Sequence, residues 1–168
     1  ILNLPLPLLP LQILCVNLVT DGLPALALGV DPPSGNVMKK KPRNKNENIL
    51  KNTFSFIFLA GILSTLITLI LFKFNLGLGL NKARTIALTT LILFELFLVF
   101  TIRSEEVLIK IKSNKYLWLA VISSVVLHLI VMYTFLNTFF RLVPLNIHEW
   151  LVIILWSSSG FVFFELIK

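Results

Sequence analysis

Cysteine and charged residues are both scarce in this chain, and each shortage excludes a class of protein. The one cysteine, Cys15, lies inside an apolar run, so a disulfide framework within the chain is excluded. Only 14% of the residues are charged, whereas 57% are hydrophobic and the mean hydropathy is +0.90. A water-soluble domain of 168 residues could not cover that much apolar surface. The composition therefore predicts a membrane protein.

The apolar residues fall into five segments, each near the roughly 17 to 25 residues that a membrane-spanning helix needs. They cover residues 8–30, 54–72, 85–102, 116–136 and 149–167. Backbone groups in lipid must be hydrogen-bonded internally, and the segments lack the period-2 alternation of a transmembrane barrel. The sequence therefore predicts an all-α, polytopic helical bundle that forms one membrane domain, with the lipid bilayer as its main partner.

The basic residues lie between the apolar segments and not along one polar face, so nucleic acid is not predicted as a partner. Eleven of the 15 lie in residues 31–53, in residues 103–115 or at Lys168, and four lie in the alternate connections. Cytoplasmic loops of membrane proteins carry the excess of Lys and Arg. The loop 31–53 and the C-terminus are therefore predicted to be cytoplasmic, in a membrane that the pattern does not identify.

The first apolar segment contains an amide, a hydroxyl and a carboxylate, in Asn17, Thr20 and Asp21. Their spacing of i, i+3 and i+4 places them on one face of an α-helix. A charged Asp near the bilayer centre costs at least about 2.5 to 3.5 kcal/mol and is retained mainly on ion or proton paths. Gly22 and Pro24 follow directly and predict a helix break, which would free backbone carbonyls to face a cation.

These donors are all oxygen atoms, which favours hard cations such as Ca²⁺, Mg²⁺ or Mn²⁺ over zinc or copper. The alternative is that Asn17 and Thr20 hydrogen-bond neighbouring helices and that Asp21 caps the break. Glu95 is the other ionisable residue deep in a segment, and it is predicted to face the bundle interior. It either shares a cation with Asp21 or is a protonated residue that hydrogen-bonds a neighbouring helix.

The run Asn17-Leu-Val-Thr20-Asp21-Gly22-Leu-Pro24-Ala25, followed by Asp31-Pro32-Pro33, resembles the sixth transmembrane helix of P-type Ca²⁺-ATPases. The pumps concerned are those of the sarco/endoplasmic reticulum type and their prokaryotic relatives. The resemblance continues through Phe94-Glu95-Leu96 and Arg103-Ser104-Glu105 and weakly to Lys168, so it covers nearly the whole chain. It implies that the five segments are helices six to ten of such a pump.

The resemblance also implies roles for single residues. In that family the Asn, Thr and Asp of helix six and a Glu of helix eight supply side-chain oxygens to the transported Ca²⁺, which gives Asn17, Thr20, Asp21 and Glu95 as metal ligands. Sodium/potassium pumps usually carry Asp at the position of Asn17, and Golgi-type calcium pumps usually carry Met at that of Thr20. Both comparisons favour a reticulum-type calcium site, with Mn²⁺ as a second candidate ion.

Such a pump needs an Asp-Lys-Thr-Gly-Thr phosphorylation motif, a nucleotide-binding domain, an actuator loop with Thr-Gly-Glu and a Pro-Glu-Gly-Leu-Pro helix, and this sequence has none of them. No catalytic residue and no ATP or Mg²⁺ site is therefore predicted here. The chain begins at Ile1 without an initiator Met, and we expect a fragment whose partners are the N-terminal helices and cytoplasmic domains of the same pump. Two alternatives remain: an ion-coupled secondary transporter or channel subunit, and a non-transporting membrane scaffold.

Overall fold

The computed structural model describes residues 5–30, 53–103 and 115–167. Within these ranges every regular element is helical, and five helical stretches are long and apolar enough to cross a membrane. The stretches are Pro10–Gly29, Phe54–Leu78, Leu80–Ile102, Lys115–Tyr133 and Ile147–Ile167. The all-α fold class with five membrane-spanning helices is therefore confirmed. Residues 31–52 of the predicted cytoplasmic loop, residues 104–114 and Lys168 lie outside the described residues.

The first spanning stretch is a helix that changes pitch along its length. It consists of α1 (Pro10–Cys15), a π-helical segment (Val16–Asp21) and α2 (Gly22–Gly29). Pro10 stands at the first helical position, where its missing N–H is not needed. The sequence predicts a helix break around Gly22 and Pro24. The structure has a π-helical segment just before these two residues, and the helix continues through both of them.

The next two spans form a hairpin with a very short connection. Helix α3 (Phe54–Asn75) runs into a 3₁₀ turn (Leu76–Leu78), and α4 (Leu80–Arg103) follows directly. Gly79 between them has a φ of +108°, a conformation that residues with a Cβ rarely adopt. This glycine allows the chain to reverse within a few residues, so α3 and α4 pack side by side.

The last two spans are α5 (Lys115–Tyr133) and α7 (Ile147–Ile167), joined by a connection that contains the short helix α6 (Leu136–Phe140). Helix α4 is the most buried of the five spans and packs against both α3 and α7. The main apolar core includes Ile67, Ile86, Phe94, Met132 and Ile153, from four different spans. Helix α4 therefore lies at the centre of the bundle, with α2 packed on α5 beside it.

Hydroxyl groups link the helices inside this apolar bundle. Thr85, Thr89 and Thr90 of α4 are all fully buried. The Thr85 hydroxyl accepts a hydrogen bond from the backbone N–H of Val143 at 2.9 Å, and the Ser157 hydroxyl of α7 donates to the carbonyl of Thr90 at 3.1 Å. The first bond ties α4 to the connection after α6, and the second joins α4 to α7; interhelical hydrogen bonds contribute to helix association in lipid, where no hydrophobic driving force acts between helices. They fix the position of α4, the helix that carries Glu95.

Candidate functional site

The π-helical segment Val16–Asp21 carries three of the four predicted ligands. In an α-helix the N–H of residue 24 would donate to the carbonyl of Thr20, but Pro24 has no N–H, and its ring would collide with that carbonyl. The wider π turn, with hydrogen bonds from residue i to i+5, accommodates one additional residue just before the proline. Short π segments are rare overall and are frequent at functional sites.

The three side chains of this segment do not all point the same way. Asn17 and Asp21 are exposed on the surface of the described bundle, whereas Thr20 is 4% exposed. The Thr20 hydroxyl donates to the carbonyl of Val16 at 2.7 Å, so its proton is used within its own helix and its lone pairs stay available. Because a π turn contains more residues than an α-helical turn, each residue rotates the chain by a smaller angle, and the i, i+3 and i+4 positions no longer share one stripe.

Glu95 and Asp21 come together across the interface between α4 and the first span. Their carboxyl groups lie within hydrogen-bonding reach of each other, although 74 positions separate them in the sequence. Glu95 is half-buried, and its Oε2 is buried with no hydrogen-bond partner among the residues that the structure describes. Two adjoining carboxylates repel each other in a medium of low dielectric unless a cation or a shared proton lies between them.

Gly22 directly follows the π segment as the first residue of α2, and its φ of −62° is that of an ordinary helical residue. A Cβ built on it would lie 3.9 Å from the carbonyl oxygen of Asn17, which is normal van der Waals contact. Within the described part of the chain, therefore, nothing requires glycine at this position on steric grounds. Pro24, two residues further on, is buried, and it is the residue whose chemistry explains the change of helical pitch.

The described ranges contain no group of three or more His, Cys, Asp or Glu side chains arranged to hold a metal ion. Ca²⁺ takes about six to eight oxygen ligands. Asp21 and Glu95 supply carboxylate oxygens, and Asn17 and Thr20 add an amide and a hydroxyl oxygen. Four side chains would fill only part of such a shell, and two of them, Asn17 and Asp21, are exposed on the described bundle.

Sequence reasoning missed the inner side of the π segment. A cavity of about 70 Å³ lies there, lined by Gln12, Val16 and Thr20 of the first span and by residues of α4, α5 and the connection containing α6. His128 also lines it, is buried, and has its Nε2 at 3.0 Å from the hydroxyl of Thr89. The sequence offered two signals, the polar residues Gln12 and His128 within apolar runs.

Comparison with known proteins gives consistent results over nearly the whole chain. The family described as "Cation transporting ATPase, C-terminus" matches residues 5–168. A calcium-transporting ATPase of Bacillus subtilis is 43% identical over 166 residues, covering 94% of this chain and 18% of that protein. A calcium-transporting ATPase of Plasmodium falciparum is 34% identical over 218 residues, covering 100% of the chain and 18% of that protein.

A third relative, the endoplasmic reticulum calcium ATPase srcA of Aspergillus fumigatus, is 30% identical over 205 residues, covering 99% of the chain and 21% of that protein. The chain therefore spans about a fifth of the length of the curated relatives it matches.

Proposed function

This chain belongs to the family of cation-transporting ATPase C-terminal regions, and from that premise we propose that it forms part of the calcium-binding and translocation domain of an ATP-driven pump. The pump would move Ca²⁺ out of the cytoplasm. ATP, Mg²⁺ and the phosphorylated aspartate would belong to other parts of the complete polypeptide. The chain itself would contribute cation ligands and the helices that hold them.

The observation that carries the proposal is the pairing of Asp21 with Glu95. Two carboxyl groups from different spans meet at the edge of an apolar bundle, and the Oε2 of Glu95 has no hydrogen-bond partner among the described residues. Keeping an unpartnered carboxylate oxygen within a membrane is costly, and such residues mark ion or proton paths. A divalent cation would neutralise both carboxylates and fill the vacant acceptor. Release of the cation would leave them to share a proton.

The exposure of Asn17 and Asp21 also supports the proposal. Both are exposed on the described bundle, at a level of the first span that is otherwise apolar. A polar amide and a carboxylate would not face lipid acyl chains without a large energetic cost. We therefore propose that preceding helices of the complete polypeptide cover this side and supply the remaining oxygen ligands. In this arrangement Asp21 would lie between ligands from those helices and Glu95.

The direction of transport rests on the proposed topology. Eleven of the 15 basic residues lie in the connections 31–53 and 103–115 or at Lys168, which would place these segments in the cytoplasm. With five crossings, the first residues of the chain would then be on the opposite side. The cation site would lie partway along the first span, between the two faces of the membrane.

The deciding experiment is ATP-dependent ⁴⁵Ca²⁺ uptake into vesicles that contain the complete polypeptide, wild type beside Asp21→Asn. We expect uptake in the wild type and its loss in Asp21→Asn, because an amide cannot neutralise the cation or carry the shared proton. Glu149→Gln is the matched control, since it makes the same chemical change in an acidic residue at the start of α7, outside the site. The control should transport normally.

Absence of ATP-driven uptake in the wild type would refute the calcium assignment. Full uptake in Asp21→Asn, with a normal amount of inserted protein, would remove Asp21 from the site. The same vesicles address the second candidate ion, because a site of hard oxygen donors also suits Mn²⁺. We propose that Mn²⁺ competes for the site, and the assay would then show reduced ⁴⁵Ca²⁺ uptake as MnCl₂ is added.

A further inference from the structure

Gln12 is a fully buried polar side chain in α1, one turn before the π segment. Both ends of its amide are hydrogen-bonded. The Oε1 accepts the backbone N–H of Leu9 at 2.9 Å, and the Nε2 donates to the carbonyl of Phe140 at 2.8 Å. Phe140 is the last residue of α6, 128 positions later in the chain. One side chain therefore links the helix of the candidate site to the connection between α5 and α7.

The packing around the π segment makes this link important. The cavity of about 70 Å³ lies directly beside Gln12, Val16 and Thr20. Side chains that line a void lose contacts on that side, so close packing does not by itself fix the rotation of the helix there. Hydrogen bonds are directional, and a buried amide that loses a partner has a large desolvation cost. The two bonds of Gln12 can therefore set the position of α1 where apolar packing does not.

We propose that Gln12 is a positioning residue for the cation site. Its bond to Phe140 holds α1 at one rotation about its axis and one position along it. The π turn that follows then places Asn17 and Asp21 on the exposed surface of the described bundle and brings Asp21 next to Glu95. Gln12 itself contacts no cation. This proposal rests on the proposed function, because it concerns the affinity of the site for the transported ion.

Substitution by an apolar residue removes both hydrogen bonds. Gln12→Met and Gln12→Leu are close to glutamine in volume and offer neither a donor to the Phe140 carbonyl nor a strong acceptor for the Leu9 N–H. If the hydrogen bonds of Gln12 position the site, both variants lose affinity for Ca²⁺; if Gln12 only caps the start of α1, their Ca²⁺ dependence stays that of the wild type. Leu14→Met is the matched control, because Leu14 lies in the same helix with its side chain 62% exposed.

The test measures ATP-driven ⁴⁵Ca²⁺ uptake by the complete polypeptide in vesicles as a function of free Ca²⁺ concentration. We expect the concentration for half-maximal uptake to rise about tenfold, equivalent to about 1.4 kcal/mol, in both Gln12 variants. The maximal rate per inserted molecule should change little, because the ligands themselves are intact. Leu14→Met should match the wild type in both quantities.

A second readout does not depend on transport. Cys15 is half-buried and lines the same cavity, so a loosened α1 should expose its thiol. We expect N-ethylmaleimide to modify Cys15 faster in both Gln12 variants, measured by mass spectrometry, and at the wild-type rate in Leu14→Met. Unchanged labelling in the Gln12 variants would overturn the proposal that this residue holds α1 in place.

Two further results would also overturn it: wild-type Ca²⁺ dependence in either Gln12 variant, or a fall in maximal rate and inserted protein without a change in affinity. Failure of the proposed function gives a different result, since the wild type itself would then show no ATP-driven uptake. Normal wild-type uptake with unaffected variants would remove only the positioning role of Gln12.

Discussion

The contact between Gly160 of α7 and Phe94 of α4 gives the sharpest prediction about stability. A Cβ built on Gly160 would lie 2.6 Å from Cζ of the Phe94 ring and closer still to its Cε2. Phe94 is 2% exposed and belongs to the main apolar core, so its ring has little room to move away. The substitution Gly160→Ala should therefore force α4 and α7 apart at the residue next to Glu95.

The expected magnitude follows from two opposing effects. Inserting a methyl group into a well-packed core costs about 1 to 3 kcal/mol. Replacing glycine by alanine within a helix returns up to about 1 kcal/mol, because alanine has the higher helix propensity. Overpacking is the larger effect, and we expect the free energy of unfolding to fall by about 1 kcal/mol or more.

Gly61→Ala is the matched control, because Gly61 lies in α3 and a Cβ there would have no atom within 4 Å. This variant should be neutral or slightly stabilised. The measurement is unfolding of the purified complete polypeptide by titration with SDS in mild detergent, followed by circular dichroism. Adding Phe94→Leu should partly rescue Gly160→Ala, with a coupling energy of about 0.5 to 3 kcal/mol. Equal stability of the two alanine variants would refute the reasoning.

The same titration tests two other contacts. Glu149→Ala removes the 2.8 Å ion pair with Lys82 and the acceptor for the Asn146 N–H at the start of α7, and should cost about 1 to 2 kcal/mol. Glu149→Gln keeps the acceptor and should cost less than about 1 kcal/mol, and a greater loss in the glutamine variant would contradict this. His128→Leu removes the partner of the buried Thr89 hydroxyl and should cost about 1 to 3 kcal/mol. Strictly additive costs for His128→Leu and Thr89→Val would show that the pair is not coupled.

The fold class and the family could be predicted from the sequence because both depend on local features. Apolar runs of spanning length determine helices in lipid, where the backbone has no other way to satisfy its hydrogen bonds. The run from Asn17 to Pro24 is long enough to identify a family, and the family comparison confirms that identification. The assignment of Asn17, Thr20, Asp21 and Glu95 as metal ligands stays a prediction that the transport experiment tests.

The spacing of Asn17, Thr20 and Asp21 did not predict correctly which way their side chains point, because the segment that carries them is not α-helical. Pro24 lies close enough to change the pitch of the preceding turn, and in the π segment Thr20 is buried while Asn17 and Asp21 are exposed. Periodicity on a sequence assumes one rise and one rotation per residue. That assumption fails where a proline removes a backbone donor, and this is the segment that carries the candidate site.

The sequence by itself determined which segments are helical, which of their residues carry charge or oxygen donors, and which residue disturbs the first span. Only the tertiary structure decided which distant groups meet: Asp21 with Glu95, Gln12 with Phe140, and Gly160 with Phe94. These pairings depend on how each helix is rotated and offset against its neighbours. That arrangement follows from side-chain packing and interhelical hydrogen bonds over the whole bundle, which no local stretch of sequence contains.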